Sequence, residues 1–204
     1  LDVGAIKIGM LATDETVDAV ATGLDAFPDV PVVLDPVMVA SSGDPLIDET
    51  AIGLLRERLV PRATVVTPNL DEAAVLLGEP PESREQMLEG RAQRLLALGA
   101  DMVLLTGGKS IAETALDIFA DANGIQRIEA PRHATRNTHG TGCTLSSAIA
   151  AELAKGQGVE KAIKLAKMYV TAAIIAADEI DVGQGAGPVH HFHALWPRAE
   201  EERS

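Results

Sequence analysis

The sequence predicts an α/β fold in three layers: a mostly parallel central sheet with helices on both faces, and an antiparallel strand pair near residues 114–130. Three observations lead there. Strand-like apolar runs alternate with helical patterns almost throughout, the order expected when a helix joins each strand to the next parallel one. The polar signatures "DPVM", "TPNLDE" and "TGGK" each follow an apolar run directly, and so gather along one sheet edge. In such folds ligands bind beyond the carboxyl ends of the strands. Finally, with only three Phe, one Tyr and one Trp, the interior must be filled by Ala, Leu, Val and Ile.

The elements follow in order. Residues 5–10 ("AIKIGM") read as a strand, and 14–27 as a helix in which Val17, Val20, Leu24 and Phe27 recur at helical spacing. The strand at 30–37 ("VPVVLDPV") leads through a loop to a helix at 49–60. A third strand at 64–69 ("TVVTPN") runs into a helix at 70–78 that a glycine closes. A capped helix is expected at 83–99 and a strand at 101–108 ("DMVLLTGG"). The runs "TALDIFA" (114–120) and "GIQRIEA" (124–130) form the antiparallel pair, joined by the turn "DANG". Helices at 142–155 and 159–180 complete the chain.

A length of 204 residues suits one domain, residues 1–197, followed by a charged tail at 198–204. The net charge of −13 excludes nucleic-acid binding through a basic face. No apolar run approaches the roughly 20 residues that span a membrane. A single cysteine excludes an internal disulfide framework and fits a reducing cytoplasm. The chain opens on "LDVGAIKIGML", without Met and already inside a strand-like run, so a further segment is expected upstream.

The stretch "RNTHGTGCTLSSA" places that one cysteine where two glycines give way to a helix. Unpaired N–H groups at such a helix start, with the macrodipole behind them, suit a phosphate in transfer. Gly140, Thr141, Gly142 and Cys143 are therefore catalytic candidates. An ordinary helix cap with a small core cysteine is equally open. A thiol at a helix start is expected to ionise more readily, as a base or a nucleophile. His139, four residues earlier, raises a Cys–His hydrolase as a rival.

Asp35 ends an apolar strand before a proline, where an acid can hold Mg²⁺, although Asp-Pro is also a common turn. Asn69 and Glu72, three apart at a helix start, can face the same cleft, or simply cap that helix. Thr106, Gly107, Gly108 and Lys109 allow close approach of a nucleotide, with Lys109 toward phosphate, and a plain turn explains them almost as well. His190, His191 and His193 lie too close together for an ordinary three-ligand metal cage and read as a surface strand or edge segment.

In succession, "KIGML", "DPVMVASSGDPLI", "TPNLDEA", "GG", "NTHGTGCTLSSA" and "GPVHHFH" resemble the hydroxymethylpyrimidine (phosphate) kinases of thiamine biosynthesis, of the ribokinase-like superfamily. The resemblance covers the chain up to its tail. It implies transfer from ATP, with Mg²⁺, to the hydroxymethyl group of a pyrimidine and then to its monophosphate. Cys143 would take the proton, and the amides of residues 140–143 would form the anion hole. Asp35 and Glu72 would hold Mg²⁺ with Asn69 beside them, and Met10 and Val37 would line the pyrimidine pocket. The adenine would lie between the last helices and the strand pair. A pyridoxal or pyridoxine kinase of the same branch is the near alternative, and an inactive nucleotide-binding protein a more distant one. Two departures stand out: a serine- and glycine-rich substrate segment is missing before "IKIGML", and Thr106 stands where the family often has lysine, leaving Lys109 or Arg136 to compensate. A homodimer is expected from the exposed front edge.

Overall fold

The computed structural model describes residues 2–40, 44–80, 87–107 and 114–196. Its sheet has six strands in chain order: β1 (Ile6–Ile8), β2 (Val32–Leu34), β3 (Val65–Val66), β4 (Val103–Thr106), β5 (Thr114–Asp121) and β6 (Gly124–Pro131). The first four run parallel, while β5 and β6 return antiparallel as the hairpin read from the sequence. The helices are α1 (Asp14–Leu24), α2 (Glu49–Leu54), α3 (Leu70–Leu77), α4 (Leu88–Leu96), α5 (Thr141–Ala154) and α6 (Val159–Ile175).

Strands that advance stepwise through right-handed crossovers carry all their connecting helices on one face. The two cores follow that rule. Val32, Leu34, Val66, Val103 and Leu105 pack with α1 to α4, whereas Val33, Val65, Leu104 and Phe119 pack with α5 and α6. Adjacent strand residues thus serve opposite cores, the period of two in a pleated strand. Leu34 and Val33 are both 0% exposed, which makes β2 a strand covered on either side. Truncating Leu34 to alanine there costs about 2–5 kcal/mol.

Local chemistry sets the helix ends. Thr13 caps α1, accepting from the Thr16 amide, and Asp14 and Glu15 favour its positive end. Asn69 and Glu72 form a reciprocal capping box on α3. Several helices are shorter than their sequence patterns. The pattern at 49–60 leaves α-geometry after Leu54 for a wide π-turn at Leu55–Leu59 and a 3₁₀ turn at Val60–Arg62. Pro61, which has no N–H to donate, cannot continue an α-helical ladder. The pattern at 159–180 likewise ends as a 3₁₀ turn, Ala176–Glu179. The expected cap of the helix at 83–99 falls on residues 83–86, outside the described residues, as do Gly108, Lys109 and the tail. Among the described residues no helix is long and apolar enough to cross a membrane.

Candidate active site

Parallel pairing brings the strand ends together. The Asp35 amide donates to Ile8 O at 2.9 Å, the Thr67 amide to Leu34 O at 2.9 Å, and the Thr106 amide to Pro68 O at 2.9 Å. Residues beyond β1 to β4 therefore lie side by side, as the sequence signatures predicted. Asp35 is 4% exposed and Glu72 6%. Two acids so deeply buried need partners.

Glu72 finds one within its own helix start: its Oε2 accepts from the Asn69 amide at 2.8 Å. Asn69 Oδ1 in turn accepts from the Asp71 and Glu72 amides at 2.9 and 3.0 Å. The capping alternative for Asn69 is thus realised, and its carbonyl oxygen is committed to the helix.

Asp35 is held from farther away. Ser146, fully buried on α5, donates to Asp35 Oδ2 at 2.9 Å across 111 residues of sequence. Lys7 of β1 brings its ammonium to 3.4 Å from the same oxygen. The Ser146 hydroxyl also lies 3.1 Å from the carbonyls of Gly142 and Cys143, but it has one proton, and the charged acceptor binds it more strongly. Neither Lys7 nor Ser146 was a sequence candidate. The only signal would have been their positions inside "KIGML" and "GTGCTLSS".

Gly140 opens α5 at φ +82°, a left-handed conformation that glycine adopts freely, and no side chain caps the helix. The Thr141 amide donates to Thr138 O at 3.3 Å, and the Thr144 amide and hydroxyl both reach Gly140 O, at 2.8 and 2.7 Å. The turn is held from within, while the helix start faces outward. Behind it, buried Asn137 donates to Ala177 O at 2.6 Å and Ile180 O at 3.1 Å, tying this loop to the end of α6.

Cys143 is exposed as a residue, yet its thiol end turns inward to Asp35. The expected increase in acidity is corrected here. Burial pushes the thiol above its ordinary value and the Asp35 charge adds to this; Lys7 opposes it, while the hydrogen bond to Asp35 and the charge of Glu72 raise it further.

Other candidates fall as follows. Thr106 lies beside Asn69 at the β4 end, and the Gly107 amide donates to Asp117 Oδ1 at 3.1 Å. Asp117 is also ion-paired with Lys167 of α6, a long-range contact with no sequence signature. Arg136 is drawn outward to Asp181 at 2.7 Å. Met10 and Val37 stand at the ends of β1 and β2, the first 52% exposed, the second half-buried. A groove of about 590 Å³ begins at Gly140 and Cys143 and runs between α5 and α6 to Lys155 and Tyr169, and its lining does not include Met10 or Val37. The histidine segment is not a strand. After a single bridge from Pro188 to His139 it folds into turns, with His190 buried against Trp196.

Moving a phosphoryl group demands positioning and charge stabilisation more than covalent machinery. A sheet edge with buried acids facing an outward helix start offers those, and with this fold it defines an α/β phosphotransferase. Comparison narrows the class. The model of the phosphomethylpyrimidine kinase family matches residues 1–190, and the chain belongs to that family. It is 50% identical over 196 residues to the hydroxymethylpyrimidine/phosphomethylpyrimidine kinase of Rhizobium meliloti, covering 96% of this chain and 73% of that protein. The Escherichia coli enzyme of the same name is 46% identical over 190 residues, covering 93% and 71%. Among solved structures, an ADP complex of Bacillus subtilis pyridoxal kinase superposes with TM-score 0.88 at 37% identity, covering 97% of this chain and 73% of that one. Phosphomethylpyrimidine kinase from Clostridium difficile superposes with TM-score 0.71 at 33% identity, covering 83% and 68%.

Proposed function

We propose that this chain transfers the γ-phosphoryl group of ATP to 4-amino-5-hydroxymethyl-2-methylpyrimidine, and then a second one to the resulting monophosphate. The observation that carries the reading is the Ser146–Asp35 bond, 2.9 Å long, which draws the α5 turn and Cys143 onto the acidic strand ends. Relatives at 46–50% identity bear the name of that activity.

The residues divide the work. As the hydroxymethyl oxygen attacks the γ-phosphorus, its proton passes to the Cys143 sulfur while the thiol's own proton moves to the Asp35 carboxylate that accepts its hydrogen bond. The bond from phosphorus to the β,γ-bridging oxygen breaks, and ADP departs with the electron pair. Amides at 140–143 hold the charge that spreads over the moving oxygens. Thr106 and Gly107, with Gly108 and Lys109 following in sequence, contact the nucleotide, whose base lies between the last helices, α5 and α6, and the β5–β6 pair. Met10 and Val37 face the pyrimidine.

Asp35 and Glu72 suit Mg²⁺, which takes one or two carboxylates and completes its shell with water and phosphate oxygens. Among the described residues no three His, Cys, Asp or Glu side chains converge to cage an ion. When bound, Mg²⁺ supplies charge neutralisation on the phosphates.

Pyridoxal is the second acceptor to consider, because a pyridoxal kinase superposes with TM-score 0.88. Transfer of radiolabel from ATP to each acceptor decides between them. Label on the pyrimidine at the higher kcat/KM is expected, and a wide preference for pyridoxal overturns the assignment. We further propose one domain over residues 1–197 with a charged tail at 198–204, a cytoplasmic location, and a homodimer formed through the exposed front edge at β1. Sedimentation of the intact protein tests the last of these.

A further inference from the structure

Lys7 occupies an unusual place for a lysine. Ile6 and Ile8, its neighbours on β1, turn toward the core under α1 to α4, so Lys7 turns to the face covered by α5 and α6, in register with Val33. Its side chain is 21% exposed. Placing an ammonium there costs desolvation unless a charge or ligand compensates. Its one ion-pair partner among the described residues is Asp35, at 3.4 Å. That separation exceeds the 2.7–3.2 Å range of a close N–H···O bond, so this contact alone does not use the ammonium's donors fully. Gly9 keeps the path open: a Cβ there would lie 2.7 Å from the ammonium nitrogen.

Other cations near the strand ends are engaged elsewhere. Lys167 pairs with Asp117, Arg91 with Glu79 and Arg136 with Asp181. Lys7 is the described cation that acts on both Asp35 and the Cys143 sulfur. It approaches the same Oδ2 that Ser146 holds from α5.

We propose that Lys7 is a positioning residue for phosphoryl transfer: together with Ser146 it holds Asp35 Oδ2, fixing the carboxylate's rotation and supplying the local counter-charge. The inference rests on the phosphotransferase reading of Asp35 given above. Because Lys7 acts through Asp35, its loss lowers kcat rather than weakening nucleotide binding.

The test uses Lys7→Met, which keeps the stem and removes the charge, with Lys7→Arg and Ser146→Ala. Losing the counter-charge that orients Asp35 should lower kcat about 10- to 100-fold, or about 1.4–2.7 kcal/mol of barrier, and leave KM for ATP within about threefold. Lys7→Arg should recover most of the loss. Combined with Ser146→Ala, the effect should be clearly less than the product of the single effects, since both groups hold one oxygen. A readout independent of turnover is a urea-unfolding cycle of Lys7→Met and Asp35→Asn on nucleotide-free protein, where coupling between the two is expected. If the wild type labels the pyrimidine or pyridoxal while Lys7→Met keeps kcat within threefold, or if the unfolding cycle is additive, the role of Lys7 is overturned. A wild type that labels neither acceptor overturns the phosphotransferase reading itself, and this role with it.

Discussion

Replacing Cys143 by alanine removes the proposed proton acceptor and little else. Although the residue is exposed overall, its thiol end is partly buried against Asp35, so truncation should cost about 1 kcal/mol of stability. The anion hole is backbone and survives the substitution. A positioned base contributes about 10²- to 10⁴-fold. The structure argues for the lower end, because Asp35 already accepts the thiol's hydrogen bond and is the next base in line. The expected loss in kcat is therefore about 10²-fold, or about 2.7 kcal/mol of barrier. Coupled measurement of ADP release with the hydroxymethylpyrimidine as acceptor gives kcat, and calorimetry with a non-hydrolysable nucleotide reports binding. Nucleotide affinity should stay within about threefold of wild type. A variant whose kcat stays within about fivefold of wild type takes the sulfur out of the mechanism.

Three further outcomes are expected. The raised thiol is neutral at neutral pH, so its alkylation by iodoacetamide in nucleotide-free protein should climb with pH and reach its midpoint above the ordinary value of about 8.5. Asp35→Asn should move that midpoint down, and a plateau below pH 8 in the wild type would contradict the stated causes. Gly140→Ala forces a side chain into φ +82° and should cost roughly 1–2 kcal/mol in urea unfolding, with weaker nucleotide binding; unchanged stability would mean the turn relaxes elsewhere. Lys167→Met leaves Asp117 without its ion partner, at side-chain exposures of 16% and 7%, and should cost roughly 3 kcal/mol, about 6–12 °C in Tm. A Tm within 2 °C of wild type would show that the pair contributes little to stability.

How much was legible in advance differs from one residue to the next. Asn69 and Glu72 are three apart, and that spacing already announces a capping box, because both partners lie within one helical turn. The β5–β6 hairpin was equally plain: two alternating runs around "DANG" leave few other pairings. The end of the helix pattern at 49–60 was not legible, since its apolar spacing runs on to Val60 while the α-helix itself ends at Leu54. Cys143 is the instructive failure. Its place at a helix start pointed toward an acidic thiol, but burial raises its pKa and the Asp35 charge adds to this, and Asp35 stands more than a hundred residues earlier in sequence.

The linear order of residues carried the periodicities, and with them the strand–helix alternation, the parallel sheet and the edge where its polar signatures collect. Such patterns are local, written within a turn or a few pleats, and can be read without knowing what packs where. The assignment of α1 to α4 and of α5 and α6 to opposite faces emerged only on folding, as did the meeting of Lys7, Asp35 and Ser146 and the bond from Lys167 to Asp117. Those contacts join segments 28 to 111 positions apart, and neither spacing nor composition encodes which distant charge will stand beside a given side chain.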